Sequence, residues 1–230
     1  MQNRTLQIIV IISLYVGLGY AAVAQIAVPI EKEPRHRLKF ENQYVRLFDV
    51  LIPKGDTSLY HIHRYDGVSV RLSNAQILDE VLGGQKVEFI LKPGEVTFGL
   101  RPAEMTHRVI NNGSSDFRNI FIEILPVAVG HSTIKSSEPL PDHKLLFDND
   151  RVSAYRVVLK PGRSTQVHNR DIKGISVFVT DAKIQIIVSE RKTKTKQFRS
   201  GEFMWYDAGK AQAVKNVGPS DMEMVVFGLK

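Results

Sequence analysis

Apolar positions in this chain come in short runs, broken at close intervals by Gly, Pro, Asn and Asp. "FRNIFIEIL" and "GISVFV" are rich in β-branched and aromatic residues, and "KVEFIL" leads straight into "KPG", a strong turn signal. Runs of this kind, bounded by turn formers, predict strands. No window carries the capped stripe that predicts a long helix. The pattern therefore predicts an all-β chain beyond residue 24. The first 24 residues are different. Arg4 is their one charged side chain, the apolar run "LQIIVIISLYVGLGYAAVA" follows it, and Ala22-Val23-Ala24 supplies small residues for cleavage. This predicts a signal peptide cleaved after Ala24, a mature chain beginning at Gln25, and a periplasmic or secreted location. The rival reading is an uncleaved N-terminal membrane anchor, because the run approaches spanning length.

A shift of 107 residues brings landmarks into coincidence. Phe40 falls on Phe147, Asn42 on Asn149, Gly55 on Gly162, His61 on His168 and Gly67 on Gly174. Gly94-Glu95 falls on Gly201-Glu202. A constant offset over such a length predicts two copies of one unit. Their expected bounds are 35–126 and 143–230, with a linker at 127–142. Each unit is long enough for a small barrel or sandwich of about eight strands.

Composition narrows the chemistry. The chain has no cysteine, which excludes disulfides, thiolate ligands and a cysteine nucleophile. The formal charge of +7 is spread along the sequence. No basic helix or aromatic–basic stripe appears, so nucleic acid is not an expected partner. The run "RKTKTK" at 191–196 is expected to be a solvated hairpin end. Trp205 and Tyr206 are expected in the core. No phosphate loop, nucleotide fingerprint or nucleophile elbow is present, so no organic cofactor is indicated.

The histidines point to a metal. His61 and His63 lie two apart on an expected strand, so their side chains leave the same face about 7 Å apart. His107, in "GEVTFGLRPAEMTHRVINNG", is the candidate third ligand. Imidazoles suit zinc, iron, copper and nickel. His36, His131 and His143 fall in segments expected to be solvated loops or linker.

The spacing resembles the cupin superfamily. Its first motif runs Gly, five residues, His-x-His, a short gap and Glu; here Gly55 precedes His61-Ile62-His63. Its second runs Gly, then Pro-x-Gly-x-x-His, three residues and Asn; here Gly94 precedes Pro102, His107 and Asn111. With the repeat, the chain resembles a bicupin. The resemblance implies two tandem jelly-roll-like β-barrels behind the signal peptide, the first holding one divalent metal ion (Fe, Mn, Ni or Zn) on His61, His63 and His107. Two departures stand out. Gly67 and Val68 occupy the place of the motif Glu, and Glu104 replaces the second-motif Gly. Glu104 and Asp66 are candidates to add a carboxylate. In the second copy only His168 remains of the ligand set, with Arg170 in the place of His63 and Gln212 nearest that of His107. That copy is expected to hold no metal.

Three classes of function fit. An enzyme of the dioxygenase, isomerase or lyase kind would act on a small organic acid, phenol or sugar, with Glu104, Tyr65, Arg71 and Tyr60 as candidates to move protons or hold substrate. A non-catalytic protein would capture a metal or a small ligand. A scaffold would oligomerise, and the resemblance admits a homodimer.

Overall fold

The structure is a computed structural model describing residues 26–127, 142–169, 172–189, 192–209 and 211–230. The expected signal peptide and most of the expected linker lie outside the described residues, as do His131 and Arg170. Among the described residues no helix is long and apolar enough to cross a membrane.

Residues 28–124 supply the strands β1 (Val28–Pro29), β2 (His36–Glu41), β3 (Val45–Ile52), β4 (His61–His63), β5 (Gly67–Arg71), β6 (Ala75–Val81), β7 (Lys86–Leu91), β8 (Val96–Gly99), β9 (Met105–Asn111) and β10 (Phe117–Ile124). They form two five-stranded sheets, ordered β1-β4-β9-β6-β7 and β2-β3-β10-β5-β8. Residues 144–229 supply β11 (Lys144–Asp148), β12 (Val152–Leu159), β13 (His168–Asn169), β14 (Gly174–Phe178), β15 (Ala182–Ser189), β16 (Lys192–Phe198), β17 (Phe203–Tyr206), β18 (Ala211–Asn216) and β19 (Met222–Leu229). Their sheets run β11-β12-β19-β14-β17 and β13-β18-β15-β16. The only regular helix among the described residues is a 3-10 turn at Ile30–Lys32.

The two halves use the same local devices. Asn42 and Asn149 each accept two backbone N–H groups at the start of the following strand. Asn111 and Asn216 are buried, and each donates to two carbonyls and accepts one glycine N–H. These amides hold turns that would otherwise leave buried backbone groups unpaired.

The halves meet through a shared apolar core. Strand β10 pairs with both β3 and β5, and β19 pairs with both β12 and β14. Side chains alternate between faces. On the outer faces, Val45, Leu47, Val68, Val70, Ile120 and Ile122 pack against Val152, Ala154, Ile175, Val177, Val225 and Phe227. The inner faces turn toward each half's second sheet. The first half's own core draws Phe48, Val50, Phe117 and Phe121 from one sheet and Ile77, Leu91 and Val109 from the other.

The structure corrects the reading of "RKTKTK" in part: Thr193, Lys194 and Thr195 are exposed as expected, Arg191 lies outside the described residues, and the rest is strand rather than loop. Lys192–Phe198 is an edge strand, paired with β15 on one side. Alternating Lys and β-branched Thr suits an edge, where charge discourages further pairing. Trp205 does pack as expected, against Phe40 and Tyr44 of the other half with ring centroids 5.9 and 6.0 Å away.

Because the outer-face core belongs to both halves, Leu47→Ala should destabilise by about 2–5 kcal/mol. Urea unfolding followed by far-UV circular dichroism and by the fluorescence of Trp205 should show the same loss with both probes.

Candidate metal centre and its cavity

His61 and His63 are the two ends of the three-residue strand β4, and both are buried. Strand β9 runs antiparallel beside it and places His107 opposite His61. Same-face projection on β4 and direct register across to β9 thus bring three imidazoles together. One ring nitrogen of each lies within 4.8 Å of the others. The ring centroids are 4.6–4.9 Å apart.

The outer hydrogen bonds orient the rings. His61 Nδ1–H donates to the Leu59 carbonyl at 2.9 Å, and His107 Nδ1–H donates to Asp79 Oδ1 at 2.6 Å. Each bond fixes a tautomer that leaves Nε2 as a lone pair. Nε2 of His61 and of His107, and Nδ1 of His63, are buried without a hydrogen-bond partner among the described residues. Three clustered histidines, each with a buried ring nitrogen left unpaired, are costly unless something binds them. A metal ion is the group that fits, and a carboxylate behind a histidine is a recurrent support for such a ligand. Burial, and then the charges of neighbouring histidines, depress His61 and His63 well below the usual imidazole range. Both are neutral at pH 7, the form that ligates.

His63 rests on the edge of the Phe121 ring, with centroids 4.8 Å apart at 88°. Gly67 makes room for that ring. A Cβ at position 67 would lie 2.5 Å from Phe121. Positions 67 and 68 are where the resemblance expects a carboxylate; at 67 Phe121 occupies the space its side chain would need, and Val68 packs away into the shared core.

His36 and His143 correct the sequence reading, because both are buried rather than solvated. His36 opens β2, and its ring lies 4.4 Å from that of His61. Its Nδ1 pairs with the buried Glu33 carboxylate at 2.6 Å. Burial opposes ionisation of Glu33, but the His36 contact and the N–H groups of Leu59 and Arg35 hold its pKa below the usual value. His143 packs in the same way against His168, 5.0 Å between centroids. A bulge between Leu38 and Phe40 lets β2 turn His36 to the inner face and Phe40 to the shared core.

The cluster opens on a cavity of about 140 Å³. Of the four candidates for holding substrate or moving protons, Arg71 lines it and the other three do not. Glu104 is exposed and pairs with Arg64 at 2.6 Å. Tyr65 lies under Arg46, and Tyr60 under Arg108. Asp66, the other candidate carboxylate, accepts the Arg101 N–H at 2.7 Å and faces Arg151 at 3.3 Å. The sequence reading missed Asp79, Arg101, Asn119 and His36, which all line the cavity. The second half differs at the corresponding place. His168 stands opposite Gln212, so no imidazole takes the place of His107.

No family model and no curated protein sequence matches the chain. Solved structures do. The formate complex of oxalate decarboxylase from Lactobacillus farciminis is 11% identical at a TM-score of 0.57, over 85% of this chain and 84% of that one. AerE from Microcystis aeruginosa is 12% identical at a TM-score of 0.55, over 86% and 98%. The cupin 2 conserved barrel domain protein from Leptotrichia buccalis is 12% identical at a TM-score of 0.50, over 84% and 87%. At such identities the likeness speaks for the fold: this chain folds as a cupin.

The depressed histidines set a pH dependence. Above pH 6.5 they are neutral in both folded and unfolded chains. Below it the unfolded chain takes up protons that His61 and His63 refuse, so metal-free protein should lose stability as the pH falls from about 7 toward 5. Thermal melts of His63→Phe should show a shallower loss over that window.

Proposed function

We propose that the chain is a metal-dependent enzyme with one divalent ion (Fe, Mn, Ni or Zn) held by His61, His63 and His107, acting on a small organic molecule in the adjoining cavity. The observation that carries this reading is the convergence of three buried imidazoles, one ring nitrogen of each within 4.8 Å of the others, two of which (His63 and His107) line that cavity. Without a carboxylate among the ligands, the bound ion would act as a Lewis acid of undiminished charge with coordination positions open to substrate. The chain's own part is to orient. Asp79 and the Leu59 carbonyl fix His107 and His61, and Phe121 supports His63. The reaction belongs to the dioxygenase, isomerase or lyase kind. The likeness to an oxalate decarboxylase supports a small organic acid as substrate over a phenol or a sugar. The apolar N-terminal run and Ala22-Val23-Ala24 support export and cleavage after Ala24.

Elemental analysis of the purified full chain should find one equivalent of metal. His61→Ala and His107→Ala should each lose most of it while remaining folded. Asp79→Ala should keep the stoichiometry and lower affinity about 10–100-fold, measured by titration calorimetry. Retention of one equivalent in both histidine variants would overturn the ligand assignment. Saturable ligand binding with no product across a panel of small acids, phenols and sugars would leave a binding protein in place of an enzyme.

A further inference from the structure

Arg71 is a half-buried cation that the metal site does not explain. It ends β5, lines the cavity and points inward opposite Asn119 of β10. Asn119 Oδ1 accepts from Nη1 at 2.9 Å, and the guanidinium lies 5.8 Å from the Phe117 ring centre. Its Nε is buried with no hydrogen-bond partner among the described residues, and the nearby carboxylates of Glu95 and Asp79 act on it through space without taking that N–H. Burial brings its pKa down to about 10, so it is still charged at neutral pH. A buried N–H donor left without an acceptor is costly, and one on a guanidinium is best satisfied by an anion's oxygen. Arg101 adds a second cation to the same cavity, and its Nε also lacks a partner among the described residues.

The second half provides an internal control. Strand β14 holds the position in its sheet that β5 holds in the first, and its register with β19 sets Phe178 opposite Met224. These two stand where the first half has Arg71 and Asn119. Both are fully buried in the apolar core, with Phe178 stacked on Phe198 at 4.0 Å. A strand in this place therefore has no structural need of a guanidinium. The Arg71–Asn119 pair occurs in the half with three clustered imidazoles and has no counterpart in the other half.

We propose that Arg71, held by Asn119, binds a carboxylate of the ligand, so that the cavity is selective for small carboxylic acids over phenols and neutral sugars. This rests on the reading of the cavity as a substrate site beside a metal. A guanidinium offers parallel N–H donors that match a carboxylate, and Nε is the free one here. The cavity volume approaches that of a cavity that admits benzene, so the buried part of the ligand has roughly six heavy atoms.

The test uses the full chain loaded with Zn(II). Acetate, pyruvate, oxalate, malonate and benzoate are titrated against acetamide, oxamide, benzamide, catechol and glucose, by calorimetry and by the Nε–H resonance of Arg71. At least one carboxylate should bind saturably and shift that resonance, and its amide should not. Arg71→Met should weaken the carboxylate about 10–100-fold with one equivalent of zinc retained, and Arg71→Lys should restore part of the loss. The proposal is overturned if carboxylates bind Arg71→Met as they bind the parent, if amides bind equally, or if no probe moves the resonance. The wild-type resonance decides the matter should Arg71→Met fail to fold. Repeating the titration on metal-free protein separates the two readings. Arg71-dependent binding that is indifferent to zinc would sink the metal-assisted reading and leave this one standing. One bound zinc with Arg71-independent carboxylate binding would do the reverse.

Discussion

The contact on which the rest of this structure depends is the apolar face shared by the two halves. A five-stranded sheet must bury one face to be stable, and ordinarily that face looks toward its own second sheet. Here β3, β5 and β10 send much of their apolar complement outward, onto β12, β14 and β19. That relieves the inner face of part of its packing duty. Strand β5 is the extreme case: Val68 and Val70 point to the other half, while Gly67, Ser69 and Arg71 point into the cavity. A polar pocket in a small sandwich is therefore underwritten by hydrophobic burial on the far side of the same sheet.

The second half takes part in the same contact and fills its interior in the ordinary way. Its inner face carries Val157, Leu159, Phe178, Met222, Met224 and Val226, all in one buried cluster. The first half contributes a cavity lined with ionisable groups, and the second contributes the apolar surface packed behind its sheet.

How much of this was legible in the sequence depends on the range of the signal. The strands were legible because a period of two and turn formers are local. His61 and His63 were legible for the same reason, and His107 by motif spacing. Residues brought in by pairing across sheets were not. Asp79 sits in "ILDEV" and Asn119 in "FRNIF", and nothing local separates them from surface or core polar residues. His36 was hidden by a bulge, which changes the face of a strand without changing its composition. Glu104 misled in the opposite way. It is three residues from His107, but the turn ahead of β9 sends it outward to Arg64. Proximity in sequence gave no proximity in space.

The Gly67–Phe121 contact constrains what substitution can do beside the histidines. Position 67 cannot acquire a side chain while the Phe121 ring fills its place, and shrinking Phe121 alone would remove the support under His63. The two positions are coupled, and either change made first passes through a damaged intermediate. While the two stand together, no side chain at position 67 can reach toward the three imidazoles.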